Sequence, residues 1–398
     1  MPMTGSENFL DLAKSVGDYV SSKAEPTEAG SRWCTLSYFG TPEYSPEVFS
    51  GVAGIVLFLA DLGRITGGQA YLDLARDGAR WIDETMQANH GGIGPYKGFY
   101  SGFSGHGLAM LHAGQAGGDD NLVARALARA DALSQATYGG LELMWGAAGA
   151  GVFLLRCFQE TATARCLHEA VRAGEYLLDK AEAHGDQLKW LIKLGKTATY
   201  QMGMPHGAPS IGYFLAELYR FTNDGRFRDG ALGAARWLQS NAVDTEHGVG
   251  WPTHLEDVES PKFQWCHGAP GIGLFFSRTH EITGDGSCRE WALRCGESTY
   301  SAGDIRRNPS QCHGLAGNGE LFIELARITS DGQWTAKARQ FGVLAAEYGE
   351  GDPPNRRWRS DEPGQFSPDF MLGASGLGHF FLRLARPNEV HMPLMVKP

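Results

Sequence analysis

Two kinds of helical pattern alternate along the chain. In the first kind, apolar residues occupy nearly every position, as in residues 55–62, and a helix that is apolar on all sides is a buried helix. In the second kind, apolar residues recur every three or four positions between charged ones, as in residues 71–86, which is typical of a helix with one face on the core. Segments 121–136, 163–183, 226–241, 287–300 and 333–348 follow the second pattern. The alternation predicts pairs made of one buried helix and one half-exposed helix.

Each buried segment begins with a recurring glycine motif. The motif is a Gly, two residues, a small residue, one residue and, in most copies, another Gly. Ser210 takes the second small position of the fourth copy, and Val56 takes the third small position of the first copy. Small residues at these places allow neighbouring backbones to approach closely. The leading glycines of the seven copies are Gly51, Gly102, Gly146, Gly207, Gly268, Gly314 and Gly373.

The two ends of the array complement each other. Residues 9–22 form an amphipathic segment before the first copy, whereas only a short tail follows the seventh copy after Arg386. An open array would need polar capping repeats, and the sequence contains none. We therefore predict an all-α fold, an α/α toroid of seven inner and seven outer helices, as a single domain over residues 1–398. The long inserts at 185–205, 243–265 and 350–371 are expected to be loops over one face.

Composition and charge exclude several classes of protein. The chain of 398 residues has a formal net charge of −10, which does not favour nucleic-acid binding, because that function normally shows a basic patch or stripe. No apolar run approaches the ~18 residues of a transmembrane helix, and the N-terminus lacks the layout of a signal peptide. We expect a cytoplasmic protein. Its seven cysteines, an odd number, are then expected to be thiols or metal ligands rather than a disulfide framework.

Cysteine and histidine gather directly before three consecutive leading glycines. His206 precedes the fourth, Cys266 and His267 precede the fifth, and Cys312 and His313 precede the sixth. Because the inner helices of a toroid begin at the same pole, these side chains are expected to converge there. Zinc binds thiolate sulfur and imidazole nitrogen in tetrahedral geometry, and a catalytic zinc site keeps one position open. The constellation predicts a zinc site at this pole.

These residues carry a resemblance to a known family. The chain resembles the lanthionine synthetase C family, which comprises the bacterial lanthipeptide cyclases and the eukaryotic lanthionine synthetase C-like proteins. The resemblance covers all seven copies and is most specific at HGAPSIG from His206, WCHGAPGIG from Trp265 and CHGLAGNGE from Cys312. It implies an α/α toroid with zinc at one pole, with Cys266, Cys312 and His313 as the ligands. It also implies that His206 transfers a proton beside the metal.

The chain departs from the family pattern at four positions. His267 stands where the bacterial cyclases commonly have Tyr, and Glu142 stands where they have the Asp that supports the catalytic His. Lys262 replaces a cyclase Arg, and Arg307 replaces a Lys of the glutathione site in the eukaryotic-type proteins. The departures leave the zinc ligands intact and bear on the substrate instead.

The resemblance and the chemistry together assign expected roles. Glu142 would orient His206, and His267 would be either a second proton donor or a structural imidazole. Lys262 and Arg307 would steady an enolate oxygen or a substrate carboxylate, unless they are ordinary surface charges. Trp265 would line the site or pack beneath it.

The expected function is zinc-dependent thioether formation, by addition of a thiol to dehydroalanine or dehydrobutyrine in a peptide. In one version the peptide's own Cys closes a lanthionine ring, with a dehydratase as a partner. In the other, glutathione adds to a dehydrated protein residue. A glycosidase or terpenoid cyclase on a toroid would call for paired acidic residues, and the repeat starts carry Cys and His instead. A non-catalytic protein braced by zinc would fit if His206 or His267 completed the tetrahedron.

Overall fold

The computed structural model describes residues 6–90, 96–134, 138–257, 261–352, 356–393 and 396–397. Fourteen helices lie within these ranges, and the predicted α/α toroid of seven inner and seven outer helices is confirmed. Even-numbered helices are inner and odd-numbered helices are outer. The helices are α1 (Ser6–Ser21), α2 (Val52–Thr66), α3 (Gln69–His90), α4 (Phe103–Gly117), α5 (Asp120–Leu133), α6 (Ala147–Thr161), α7 (Ala164–Asp179), α8 (Ala208–Thr222), α9 (Gly225–Ser240), α10 (Ala269–Thr283), α11 (Gly286–Ala302), α12 (Leu315–Thr329), α13 (Gly332–Ala346) and α14 (Ala374–Ala385).

The ring closes as the sequence predicts, through the first and last helices. Helix α1 packs against α14, and α14 also contacts α2, so the inner helices form an unbroken circle. Phe9 of α1 stacks on Phe381 of α14, with 6.1 Å between the ring centroids. The outer helix that the seventh copy lacks is therefore supplied by the other end of the chain.

The small residues of the repeat are required by close packing. At the second small position, a Cβ on Gly317 would lie 1.8 Å from the carbonyl oxygen of Gln311, which no side chain tolerates. At the third small position, the lack of a Cβ on glycine leaves room for a large side chain from the next inner helix. These pairs are Gly107 with Phe153, Gly151 with Phe214, Gly212 with Phe275, Gly273 with Leu321, Gly319 with Phe380, and Gly378 with Phe58. The last pair joins α14 to α2 and closes the ring.

The inserts before several inner helices contain β-hairpins as well as loops, so the expectation of loops alone was incomplete. Their strands have only two or three residues, which is too short to produce an alternating pattern in the sequence. Six antiparallel pairs lie within the described residues. They are β1 (Glu25–Thr27) with β2 (Gly30–Arg32), β3 (Thr35–Leu36) with β4 (Pro42–Glu43), β5 (Glu182–His184) with β6 (Gln187–Lys189), β7 (Ile192–Leu194) with β8 (Thr197–Thr199), β9 (Val243–Thr245) with β10 (Gly248–Gly250), and β11 (Gly349–Glu350) with β12 (Arg357–Trp358).

Buried tryptophans link three of these hairpins to the preceding outer helices by hydrogen bonds. Each indole Nε1 donates a hydrogen bond to a carbonyl oxygen 13 residues earlier, in the last turn of the preceding outer helix. The distances are 2.8 Å from Trp33 to Val20, 2.8 Å from Trp190 to Leu177 and 2.7 Å from Trp251 to Leu238. The hairpins are thus fixed at the end of the toroid where the inner helices begin.

The other end of the toroid is covered by the C-terminal tail. Arginines from four inner helices donate hydrogen bonds to tail carbonyl oxygens, so the tail crosses the ring. These bonds run from Arg64 to Glu389, from Arg156 to Pro393, from Arg278 to Val396 and from Arg383 to Val390, at 2.8–3.3 Å. No helix of the described residues is long and apolar enough to cross a membrane.

Candidate metal centre

The turns before the inner helices are joined by backbone hydrogen bonds around one pole. In most of these bonds, the residue two positions before a leading glycine donates its N–H to the equivalent residue of the next repeat. The bonds run from Phe49 to Tyr100 (2.9 Å), Met144 to Pro205 (3.2 Å), Cys266 to Cys312 (3.4 Å), Cys312 to Met371 (2.8 Å) and Met371 to Phe49 (2.9 Å). Cys266 and Cys312 are neighbours because they occupy the same register in adjacent repeats.

The two thiols and one imidazole form a candidate metal centre. One donor atom from each of Cys266, Cys312 and His313 lies within 4.8 Å of the other two, and all three residues are buried. Two sulfurs and one nitrogen are a donor set that zinc prefers. The residues present therefore fit a zinc ion.

The pKa values of the two thiols are shifted in opposite directions. Burial alone would raise the pKa of Cys266, but hydrogen bonds from Cys312, His267 and His313 hold it well below its usual value. Burial and the adjacent Cys266 raise the pKa of Cys312. Gln264 Nε2 also donates to Cys266 Sγ at 3.1 Å, and His267 Nδ1 lies 3.2 Å from the same sulfur. The Cys266 sulfur is thus surrounded by several hydrogen-bond donors, which favour its thiolate form.

Asp361 holds the candidate ligand His313, and sequence analysis did not identify it. Both carboxylate oxygens of Asp361 lie 2.9 Å from His313 Nδ1, which leaves Nε2 for the metal side. Ser310 Oγ donates to the same carboxylate at 2.7 Å, and the Asp361 N–H donates to Leu372 O at 2.8 Å. A carboxylate on the outer nitrogen of a ligand histidine fixes its tautomer and raises its basicity. Burial lowers the pKa of His313, but Asp361 outweighs it and raises the pKa to about 10.

Among the described residues, the candidate ligand group has three members: Cys266, Cys312 and His313. His267 contacts Cys266, yet it does not join the set of mutually close donor atoms, and neither does His206. A closed structural zinc site needs four protein ligands. The three-member group favours a site with one open position.

His206 lies beside this group, between Glu142 and His267. Its ring centroid is 4.9 Å from that of Trp145 and 6.3 Å from that of His267, and its Nδ1 is 3.7 Å from Glu142 Oε2. Burial, followed by the neighbouring His267, lowers the pKa of His206 to about 4. The imidazole is therefore neutral at pH 7.

Glu142 is fixed by the turn that begins α6. Its carboxylate accepts hydrogen bonds from the backbone N–H groups of Met144 and Trp145, the latter at 3.1 Å. Burial nevertheless raises the pKa of Glu142 to about 8, although these two bonds favour the ionised form. The Glu142–His206 pair is thus neutral on both sides near neutral pH, with a carboxyl group directed at an imidazole.

A cavity of about 430 Å³ opens onto the candidate centre. His313 and Asp361 line it on one side, and Lys262, Gln264 and Arg306 are among its other lining residues. Tyr38 overhangs it, with 6.4 Å between its ring centroid and that of His313. The cavity beside His313 therefore carries two cationic side chains, Lys262 and Arg306, together with the acidic side chains of Asp361, Glu362 and Asp369.

Comparison with known proteins assigns the family. The profile of the lanthionine synthetase C-like protein family matches residues 42–396. The chain belongs to the lanthionine synthetase C-like family. Its fold is similar to that of nisin cyclase, with a TM-score of 0.67 at 16% identity, over 96% of this chain and 95% of that protein.

Similar folds also occur in sugar-modifying enzymes. A cellobiose 2-epimerase from Bacillus thermoamylovorans matches with a TM-score of 0.56 at 11% identity, over 96% of this chain and all of that protein. An α-1,6-mannanase from Salegentibacter matches with a TM-score of 0.52 at 13% identity, over 95% and 99%. At these identities the likeness concerns the fold, so the reaction must be argued from the site.

Two residues predicted for substrate binding in this lanthionine synthetase C-like protein lie away from the cavity lining. Trp265 is fully buried and packs on Tyr100, with 5.3 Å between ring centroids, so it supports the pole from beneath. Arg307 is exposed and does not line the cavity, whereas its neighbour Arg306 does. The chain turns at Arg307, whose φ of +50° is in the left-handed region. Lys262 lines the cavity.

Proposed function

We propose that this protein forms thioether bonds by adding a thiol to dehydroalanine or dehydrobutyrine in a peptide, at a zinc ion held by Cys266, Cys312 and His313. The observation that carries the proposal is the convergence of these three donors, and of no fourth among the described residues, beside a cavity. Membership of the lanthionine synthetase C-like family supports the same reaction class. When bound, zinc would lower the pKa of a substrate thiol at its open position, so that the thiol reacts as a thiolate.

The residues around the candidate ligands orient them and offset their charge. Asp361 keeps the His313 Nδ1 proton and directs Nε2 toward the two sulfurs. Gln264 and His267 donate to Cys266 Sγ and offset its negative charge. Such partners of a ligand set its orientation and basicity.

His206 is the proposed proton-transfer residue. Its neutral imidazole accepts the proton that leaves the substrate thiol, and the imidazolium then returns it to the α-carbon of the acceptor residue. The S–H bond breaks, an S–Cβ bond forms, and the C=C double bond becomes a single bond with a new Cα–H bond, so no other reactant is needed. Glu142 Oε2 lies 3.7 Å from His206 Nδ1 and can balance the transient positive charge when its carboxyl group is ionised.

Negative charge develops on the carbonyl oxygen of the acceptor residue when the sulfur attacks. Lys262 and Arg306, both in the cavity lining, are placed to stabilise this enolate oxygen or to bind a substrate carboxylate. Arg306 thereby takes the role that the sequence pattern gave to Arg307.

The substrate is proposed to be a peptide that a separate dehydratase has processed, and the thiol comes either from the peptide's own Cys or from glutathione. The test supplies a peptide carrying both dehydroalanine and Cys, with and without glutathione. Ring closure leaves the mass unchanged and removes the thiol that an alkylating agent would label. Glutathione addition raises the mass by that of one glutathione.

Metal dependence is tested in the same assay. Removal of zinc with a chelator is expected to abolish the reaction, and added zinc is expected to restore it. A cobalt-substituted sample should change its absorption when a small thiol is added, because the open position accepts the sulfur. Unchanged spectra together with no thioether product would contradict the proposal and would favour a non-catalytic protein braced by its metal.

A further inference from the structure

A second groove lies on the other side of His206 from the candidate metal centre. It has a volume of about 490 Å³, within the ~300–1,000 Å³ of typical ligand pockets. Trp145 and Glu142 form its inner wall, and both also contact or approach His206. The β7–β8 hairpin forms its outer wall through Ile192 and Lys193. The groove therefore lies next to the proposed proton-transfer residue, with the side chains of Trp145 and Glu142 between them.

The lining of the groove combines apolar and aromatic surface. Tyr96 and Leu191 both line it and are 54% and 38% exposed, so they offer apolar surface to a ligand. The ring centroid of Tyr96 lies 6.0 Å from that of Trp145, so the aromatic surface runs from solvent to the wall beside His206. Tyr176 of α7 adds a third aromatic ring.

The groove is also basic in a protein that is acidic overall. Lys180 and Lys193 line it; Lys180 is paired with Asp179 at 2.8 Å, whereas Lys193 has no ion-pair partner within the described part of the chain. No Asp or Glu occurs in the sequence between Asp186 and Glu217, a stretch that contains the whole hairpin. The acidic lining residue Glu142 is buried, and its oxygens face backbone N–H groups. The unpaired charge of the groove lining is therefore the positive charge of Lys193, in a chain whose net charge is −10.

The wall formed by the hairpin is anchored. Trp190, which follows β6 and stands two residues before β7, is buried and donates from Nε1 to Leu177 O of α7 at 2.8 Å. Lys189 lies over the Tyr200 ring, 3.8 Å from its centroid, which ties the two ends of the hairpin region together. A groove with fixed walls needs little ordering when it binds a ligand.

We propose that this groove binds an acidic segment of the peptide substrate, with apolar or aromatic side chains on Tyr96 and Leu191 and a carboxylate near Lys180 and Lys193. The proposal rests on the proposed function for the identity of the partner as a peptide. It assigns to the groove the role of holding the peptide while the acceptor residue reaches His206. Charge complementarity and exposed apolar surface in one place are the features that a peptide of this composition would recognise.

The test measures binding and requires no reaction. The probe is a fluorescein-labelled peptide with Ser at the acceptor positions and at the Cys position, so that it cannot react. An otherwise identical peptide has Asn and Gln in place of Asp and Glu. With the full-length protein at low salt, the acidic peptide is expected to bind about tenfold more tightly than the neutral one, and this preference should shrink at high salt because the ion pairs are partly exposed.

Two charge reversals on the same hairpin distinguish a direct contact between Lys193 and the peptide from a general effect of the protein's net charge. Lys193→Glu should weaken binding of the acidic peptide about tenfold and leave the neutral peptide unchanged. Lys196→Glu makes the same change in net charge three residues away, outside the groove lining, and should cost less than about twofold. Tyr96→Ala should weaken both peptides about fivefold, because it removes apolar contact surface.

Several outcomes would overturn the proposal. These are equal losses for Lys193→Glu and Lys196→Glu, no preference for the acidic peptide, or no measurable binding of either peptide. Displacement of the peptide by glutathione, with the effect lost in Lys193→Glu, would assign the groove to the thiol donor instead. The binding measurement needs neither metal nor turnover. If the peptide does not bind as expected but thioether bonds still form, only the proposed docking site is refuted. Binding without thioether formation would remove only the proposed reaction.

Discussion

Replacing Asp361 by Asn is expected to weaken zinc binding without disturbing the fold. The Asp361 carboxylate accepts from His313 Nδ1, Ser310 Oγ and Asn308 Nδ2. An Asn has the same shape, and its single oxygen can still accept from Ser310 and Asn308. Because both carboxylate oxygens lie 2.9 Å from His313 Nδ1, the oxygen that remains can still accept from this nitrogen. The NH2 group lies beside the same nitrogen, however, and shifts the ring toward the tautomer that carries the proton on Nε2. That tautomer cannot offer Nε2 to a metal.

The size of the effect follows from the bonds that are lost. A hydrogen bond to a charged group contributes ~1.5–3 kcal/mol, against ~0.5–1.5 kcal/mol for a neutral one. Loss of the charge on Asp361 should therefore cost about 1–1.5 kcal/mol at His313, which corresponds to roughly tenfold in affinity. The tautomer change adds to this loss. The total should fall between about tenfold and 100-fold, the range typical of such partners of metal ligands.

Competition for zinc against a chromophoric chelator measures this change directly. Glu362→Gln is the matched control, because Glu362 lines the same cavity and loses the same charge but makes no hydrogen bond to His313. Asp361→Glu should restore part of the affinity, since it returns a carboxylate to the site. An affinity for the Asn variant within twofold of the parent, or an equal loss in Glu362→Gln, would refute the reasoning.

Three further predictions concern the site and the ring. Cys312→Ala should lose bound zinc in metal analysis, whereas His206→Asn should keep it and lose about 100-fold or more in turnover; full zinc in the first variant would contradict the ligand assignment. Because the pKa of Glu142 is raised from 4.5 to about 8 in the folded protein, its contribution to stability is present at low pH and is lost as pH rises toward 8. Urea unfolding should therefore show that Glu142→Gln gains stability relative to the parent between pH 5.5 and pH 8, and an equal difference at both values would count against the buried carboxyl. Gly319→Ala would place a Cβ 2.2 Å from a ring of the next inner helix and should cost about 1–3 kcal/mol in the same experiment; Gly286→Ala, with no atom within 4 Å, should be neutral, and similar losses in both would show that ring packing is not the cause.

The repeated part of the structure could be predicted because repetition in sequence becomes equivalence in space. Each leading glycine lies directly before an inner helix, and residues at one register of the motif meet at one pole. Cys266 and Cys312 are 46 positions apart in the chain, yet their backbones are hydrogen-bonded. Closure of the ring through α1 and α14 followed from the same reasoning, since the two incomplete ends complement each other.

The non-repeated residues could not be placed in this way. Asp361 reaches His313 from a loop 48 residues away, and no periodic pattern links the two. Arg306 rather than Arg307 lines the cavity because the backbone turns between them, and a one-residue difference in a turn is invisible to motif spacing. Trp265 directly precedes a candidate ligand, but its side chain is directed into the core. The short hairpins that form the wall of the second groove are likewise too brief to leave a pattern.

The sequence by itself thus determined the toroid, the pole at which the chemistry gathers, and the residues that meet there as candidate ligands, because register and hydrophobic period are local properties that every repeat restates. Only the tertiary structure decided that neither His206 nor His267 joins the three donors, that Asp361 holds His313, and which charged side chains line the two cavities. Those features depend on contacts between distant, unique segments, and their geometry exists only once the chain has packed.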